Sequence, residues 1–185
     1  MEKRALRREC FARVKSLTAA EKAAFSSTLV DHLADLNLFR EAGTVFSYAA
    51  MASEPDLASL RASFPGKRWG LSRVADDGES LHFHEVAADQ SLVTSPFGFQ
   101  EPDPAISPVM TGPDLVLVPG VGFNFAAKAR LGRGKGHYDR YLGPLMEAEN
   151  APTVIGVCFA TQEIQLTPEA HDVPMDLIVT ENGLM

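Results

Sequence analysis

The chain has 185 residues, 45% of them hydrophobic and 22% charged, a composition and length that suit one globular domain with a full hydrophobic core. Its formal net charge of −7 argues against nonspecific binding to nucleic acid or to an anionic membrane, whose phosphates a negative field repels. No apolar run approaches the roughly 20 residues of a membrane span, and the charged start MEKRALRREC has no signal-peptide core behind it.

Two helices are expected first. Glu2 to Ser16 places Leu6, Cys10 or Phe11, and Val14 at helical spacing, with Leu17 following. TAAE (Thr18 to Glu21) has the form of a capping box, opening a second helix through Phe25, Leu29, Leu33 and Leu36. TVFSYAA (Thr44 to Ala50) reads as a buried strand, and DLASLRASF as a short helix stopped at Pro65 and Gly66. RWGLSRV and SLHFHEV read as two strands around a turn at Asp76 to Gly78.

Between Gln90 and Pro113 the chain is polar and proline-rich, a long loop of the kind that carries function. DLVLVPG (Asp114 to Gly120) is a continuous apolar strand, as expected where both faces of a sheet are covered. HYDRYLGPLMEAE predicts a helix that Gly143 and Pro144 should break or restart. TVIGVCFA and DLIVT are the last strands. Strands alternating with helices make the fold class α/β, with a mostly parallel sheet. Cys10 and Cys158, the only cysteines, have neither metal-type spacing nor a disulfide framework, as expected in a reducing cytoplasm.

The chemistry concentrates in RLGRGKGHYDRYL, Arg130 to Leu142. Lys128, Arg130, Arg133, Lys135 and Arg140 crowd into thirteen residues of a chain that holds only 17 lysines and arginines in all. Gly132, Gly134 and Gly136 let a backbone turn freely and approach a ligand closely. Successive N–H groups leading into a helix N-terminus attract anions, and guanidinium and ammonium groups make the place suitable for polyphosphate. The spacing is neither a P-loop nor a dinucleotide fingerprint, and a solvated basic loop is the plainer alternative. Asp139 sits badly against phosphate unless a divalent cation lies between, since Mg²⁺ takes one or two carboxylates plus phosphate oxygens. It equally suits the positive end of a helix. A second carboxylate stands in EAHDVPMD, at Asp172 or Asp176.

PGVGF and RLGRGKGHYDRYL, within Pro119 to Leu142, together resemble the signature of the 5-formyltetrahydrofolate cyclo-ligase (methenyltetrahydrofolate synthetase) family, PG-x-x-F-D followed by R-L-G-x-G-x-G-x-Y-D. KRALR (Lys3 to Arg7), ASEPD (Ala52 to Asp56), FGFQEP (Phe97 to Pro102) and HDVPMD (His171 to Asp176) match further family elements in the same order. Four positions depart from the pattern. Asn124 replaces the aspartate after PGxxF, the spacer FAAKA is one residue longer than usual, Leu57 stands where the family often has threonine, and His137 replaces the first tyrosine of YYD.

The resemblance implies a three-layer α/β/α domain over residues 1–185, similar to sugar-phosphate and CoA-transferase enzymes. It also implies an ATP-dependent enzyme that closes 5-formyltetrahydrofolate to 5,10-methenyltetrahydrofolate. ATP would be held by Lys3, Arg4 and Arg7 and by the run Arg130, Leu131, Gly132, Arg133, Gly134, Lys135, Gly136, His137 and Tyr138. Lys135 and Arg133 would lie nearest the moving phosphoryl group, and Asp139 and Asp172 would ligate Mg²⁺. Glu54 would face the pterin, with Met51, Phe97 and Tyr138 as walls for the flat rings. ATP and a reduced folate are the expected partners of a cytoplasmic monomer. A relative acting on another formylated molecule, or a binder without turnover, are the competing expectations.

Overall fold

The computed structural model describes residues 2–95 and 98–185. In chain order the elements are α1 (Lys3–Ser16), α2 (Ala19–Asp35), α3 (Asn37–Glu41), β1 (Thr44–Ser47), α4 (Ala58–Ser63), β2 (Arg68–Val74), β3 (Leu81–Val86), β4 (Val93–Thr94), β5 (Gln100–Glu101) and β6 (Val109–Met110). After these come β7 (Leu115–Pro119), β8 (Gly122–Asn124), β9 (Ala129–Leu131), α5 (His137–Met146), β10 (Thr153–Val157), β11 (Leu177–Thr180) and β12 (Gly183–Leu184).

Eight strands form one sheet in the order β12-β11-β10-β7-β1-β2-β3-β6. Its centre, from β11 to β2, is parallel, and the flanking pairs are antiparallel. The apolar run of β7 is explained by its neighbours. Leu115 and Leu117 enter a core with Leu29, Leu33, Phe39 and Trp69, under α2 to α4. Val116 and Val118 enter the opposite core with Phe46, Phe83 and Leu142 of α5. Helices on both faces of a mostly parallel sheet make the expected three-layer α/β arrangement. A third cluster packs Leu6 and Cys10 of α1 against Val121, Ala129 and Leu131 of the β8–β9 hairpin.

Local signals account for the element starts. Thr18 Oγ1 accepts from Glu21 N at 3.2 Å while Glu21 Oε2 accepts from Thr18 N at 2.7 Å, the capping box read in the sequence. Asp114 Oδ2 accepts from Gly43 N and Thr44 N at 2.8 and 2.7 Å, fastening the start of β1 beside β7.

Several elements differ from expectation. The strand expected over Thr44 to Ala50 ends at Ser47, and Tyr48 leaves the sheet to donate to Pro55 O at 2.9 Å. α5 runs unbroken through Gly143 and Pro144 to Met146. Pro144 cannot donate to the Arg140 carbonyl, but Tyr141, Leu142 and Leu145 pack on the sheet and hold the helix together. The segment after Gly120, for which no element was expected, forms the β8–β9 hairpin, whose turn takes up most of the long FAAKA spacer. There Asn124 is structural. Its Oδ1 accepts from Ala127 N at 3.0 Å, and its Nδ2 donates to Leu166 O at 2.9 Å, a bond an ionised aspartate could not make.

Candidate active site

Parallel strands point their carboxyl ends the same way, and there the chain opens a cleft of about 930 Å³. Tyr48 and Ala49 follow β1, Ser72 and Val74 end β2, and Pro119 and Gly120 end β7, all on its wall. Gly120 is required by close approach. A Cβ there would meet the Phe123 ring at 2.7 Å and Arg130 Cγ at 2.9 Å, so the missing side chain lets Arg130 pass.

The glycine run forms the facing wall. β9 delivers Arg130 and Leu131, the loop turns through Gly132 to Gly136, and Gly136 is the N-terminal cap of α5. Gly134 (φ 96°) and Gly136 (φ 67°) occupy the left-handed region, where other residues are strained. Arg130 is held in place from two sides. Nη2 donates to Asp139 Oδ1 at 2.8 Å, and the guanidinium carbon lies 5.3 Å from the Tyr138 ring centroid. Its Nε is buried without a partner among the described residues. A guanidinium lining the cleft suits an anionic oxygen.

Lys3 and Arg7 of α1 reach the cleft, one turn apart, whereas Arg4 is exposed and off its wall. Arg7 Nε donates to Gly132 O at 2.8 Å, and Lys3 bonds Asp172 Oδ2 at 3.5 Å and Glu169 Oε1 at 3.1 Å. Arg133 Nη2 reaches Glu54 Oε1 at 3.3 Å and Ser53 Oγ at 3.0 Å, with its guanidinium 5.4 Å from the Phe11 ring. Glu54 Oε2 accepts from Met51 N at 3.0 Å. Burial raises the Tyr138 phenol above its usual pKa, so the hydroxyl stays protonated and donates to Ser72 Oγ at 3.4 Å.

Met51, Glu54, Tyr138, Asp139 and Asp172 thus stand around one space with Leu131, Lys135 and His137. Phe97 lies outside the described residues. Asp176 is elsewhere, since its Oδ2 accepts from Val154 N at 2.7 Å, at the amino end of β10 and away from the cleft. No cluster of three or more metal-ligating side chains forms among the described residues. Asp139 and Asp172 are hard oxygen donors on the cleft wall, which fits a magnesium ion arriving with a nucleotide better than a resident metal. Sequence reasoning missed Tyr48, Ser72, Phe99, Gln100 and Arg140 as cleft residues. Tyr48 and Ser72 were findable as strand carboxyl ends, and Phe99 and Gln100 lie in the loop singled out by its proline content.

Residues 1–181 match the model of the 5-formyltetrahydrofolate cyclo-ligase family. The chain belongs to that family. The family takes its name from a ligase reaction on 5-formyltetrahydrofolate. The mouse 5-formyltetrahydrofolate cyclo-ligase is 25% identical over 192 residues, covering 98% of this chain and 94% of that protein. The yeast (Saccharomyces cerevisiae) enzyme is 37% identical over 117 residues, but the match spans 58% of this chain and only 54%, about half, of that protein. Among solved structures, the 5,10-methenyltetrahydrofolate synthetase of Aquifex aeolicus superposes with a TM-score of 0.83 at 28% identity, over 100% of this chain and 92% of that one. That of Mycoplasma pneumoniae, with a TM-score of 0.74 at 24% identity, covers 98% of this chain and 99% of that one and supports the fold.

Proposed function

We propose that this cleft uses ATP to cyclise 5-formyltetrahydrofolate to 5,10-methenyltetrahydrofolate, releasing ADP and phosphate. The observation that carries the reading is the meeting, around one cleft, of the Gly132–Gly136 loop, Arg130, Arg133 and Lys135 with Glu54, whose carboxylate pairs with Arg133. A formyl oxygen leaves poorly as hydroxide and well as phosphate. Transfer of the γ-phosphoryl group to that oxygen gives an iminophosphate. Attack by N10 of the folate on the same carbon then closes the ring and expels phosphate.

Phosphoryl transfer asks the protein for positioning and charge neutralisation. Backbone N–H groups of the glycine loop and the N-terminus of α5 receive phosphate oxygens. Arg130 contributes a preset cation, Lys3 and Arg7 add positive charge from α1, and Lys135 with Arg133 meets the moving phosphoryl group. Magnesium, bound with ATP through Asp139 and Asp172, would neutralise further phosphate charge. Glu54 would accept N–H bonds from the pterin, and Met51 and Tyr138 would flank its rings. The reading extends to a cytoplasmic monomer, and the buried, unpaired Cys10 and Cys158 are compatible with a reducing compartment.

The test is purified protein with magnesium, ATP and 5-formyltetrahydrofolate, followed by near-ultraviolet absorbance of the methenyl product and by ADP release. Neither product across a range of pH would reject the reading. ADP release with another formylated compound alone would move the substrate.

A further inference from the structure

A loop containing Gly132, Gly134 and Gly136 has little stiffness of its own, because glycine has the largest backbone freedom to lose. Phosphoryl transfer nonetheless requires its atoms to be placed within a fraction of an ångström. Two arginines from outside the loop supply the constraint. Arg7 Nε donates to Gly132 O at 2.8 Å at one end, and Arg140 Nη1 donates to Lys135 O at 2.7 Å at the other.

Arg140 is itself anchored. Its Nη2 donates to Glu79 O at 2.7 Å, in the β2–β3 turn, and next to it the His137 ring Nε2 lies 3.1 Å from Gly78 O. That turn is stiff. Asp77 Oδ1 accepts from Glu79 N and Ser80 N at 2.8 Å each, and Ser80 Oγ donates to Asp77 Oδ2 at 2.6 Å. Arg73, 15% exposed, ties the turn down through Asp76 at 2.8 Å and through Glu101 of β5, 8% exposed, at 3.2 Å. One guanidinium fork therefore joins a fixed carbonyl to a carbonyl of the free loop.

Resting on the cyclisation reading above, we propose that Arg140 is a positioning residue, fixing the Lys135–Gly136 peptide and so aiming Lys135 at the phosphoryl group. Holding Lys135 O sets the plane of that peptide, and with it the Gly136 N–H and the direction in which the Lys135 side chain leaves. Lysine cannot replace it fully, because an ammonium lacks the planar fork that spans two carbonyls.

The experiment compares wild type, Arg140→Ala and Arg140→Lys by steady-state kinetics, thermal melting, and hydrogen exchange of the ligand-free proteins. Arg140→Ala should lower kcat about 10- to 100-fold, with KM for ATP changed less than about threefold. Arg140→Lys should fall between, and millimolar guanidinium should restore part of the lost kcat in Arg140→Ala. Without ligand, exchange in peptides covering residues 132–138 should quicken in Arg140→Ala while that of the β2 and β3 strands stays unchanged. An unchanged kcat per folded molecule, a raised KM for ATP at normal kcat, or unaltered exchange in 132–138 would each overturn the proposal. A wild-type protein without turnover rejects the cyclisation reading instead, and the exchange comparison still decides whether Arg140 holds the loop.

Discussion

Arg133, on the glycine-loop wall of the cleft, and Glu54, which lines the same space, are paired at 3.3 Å. Glu54 is 7% exposed at its side chain and Arg133 41%, so the carboxylate depends on this partner more than the guanidinium does. A nucleotide that draws Arg133 to its phosphates leaves a buried carboxylate short of donors, and pterin N–H groups can supply them. Each ligand should then favour the other, by an equal factor in both directions. Calorimetry should find folate binding about 5- to 50-fold tighter with a non-hydrolysable ATP analogue present, and the enhancement should fall to less than about twofold in Glu54→Gln. Equal coupling in both proteins would mean that the pair persists in the ternary complex.

Lys135 is exposed on the loop and forms no ion pair among the described residues. Its removal therefore costs little in stability. Lys135→Ala should melt within about 2 °C of wild type, because a surface substitution usually stays within about half a kcal/mol. Turnover should drop about 100- to 1000-fold, the usual result of losing a group that balances transition-state charge. Near-normal ADP release would take Lys135 out of the reaction.

Asp139 pairs with the Arg130 guanidinium, and under the proposed reaction it would also hold magnesium. Arg130 is 5% exposed at its side chain and Asp139 20%. Asp139→Asn keeps an oxygen acceptor but loses the charge beside a buried cation, a loss of about 1–3 kcal/mol. At about 2–4 °C per kcal/mol for a chain of this size, melting should show it plainly. The magnesium concentration for half-maximal activity should rise as well. A stability loss with an unchanged magnesium requirement would leave Asp139 as the ion-pair partner only.

The turn that anchors Arg140 has its own pH signature. Hydrogen bonds from the Ser80 hydroxyl, then from Ser80 N and Glu79 N, lower Asp77 from 3.8 to about 2. A folded pKa below the unfolded one contributes stability that is complete above the unfolded value and lost as pH falls toward the folded one. The stability gap between wild type and Asp77→Ala should thus stay constant above about pH 4 and close between about pH 4 and 2. Denaturation curves across that range measure it, and a gap indifferent to pH would mean that the turn does not need the ionised carboxylate. Asp77 is fully exposed, so the effect is modest.

The class of fold and the glycine-basic wall of the cleft were legible in the chain itself, because both are written in neighbouring residues. Helical periodicity in α1, the Thr18 and Glu21 capping box and the unbroken apolar β7 are short-range signals. So is a run of glycines and basic residues, which suits an anion site as well as a solvated loop. Tertiary structure decided whatever depends on distant chain segments. Arg133 meets Glu54 across 79 residues of sequence, and nothing local announces that pairing. Asp172 and Asp176 are near neighbours in the chain, yet the parallel sheet sends them to opposite duties, one at the cleft and one on Val154 N. α5 survives Pro144 because sheet packing outweighs a lost hydrogen bond, and the β8–β9 hairpin is fastened by α1, whose Leu6 and Cys10 pack on Val121, Ala129 and Leu131. Arg140 was counted among the basic residues, but only the folded chain brings the Glu79 carbonyl within reach of its second nitrogen.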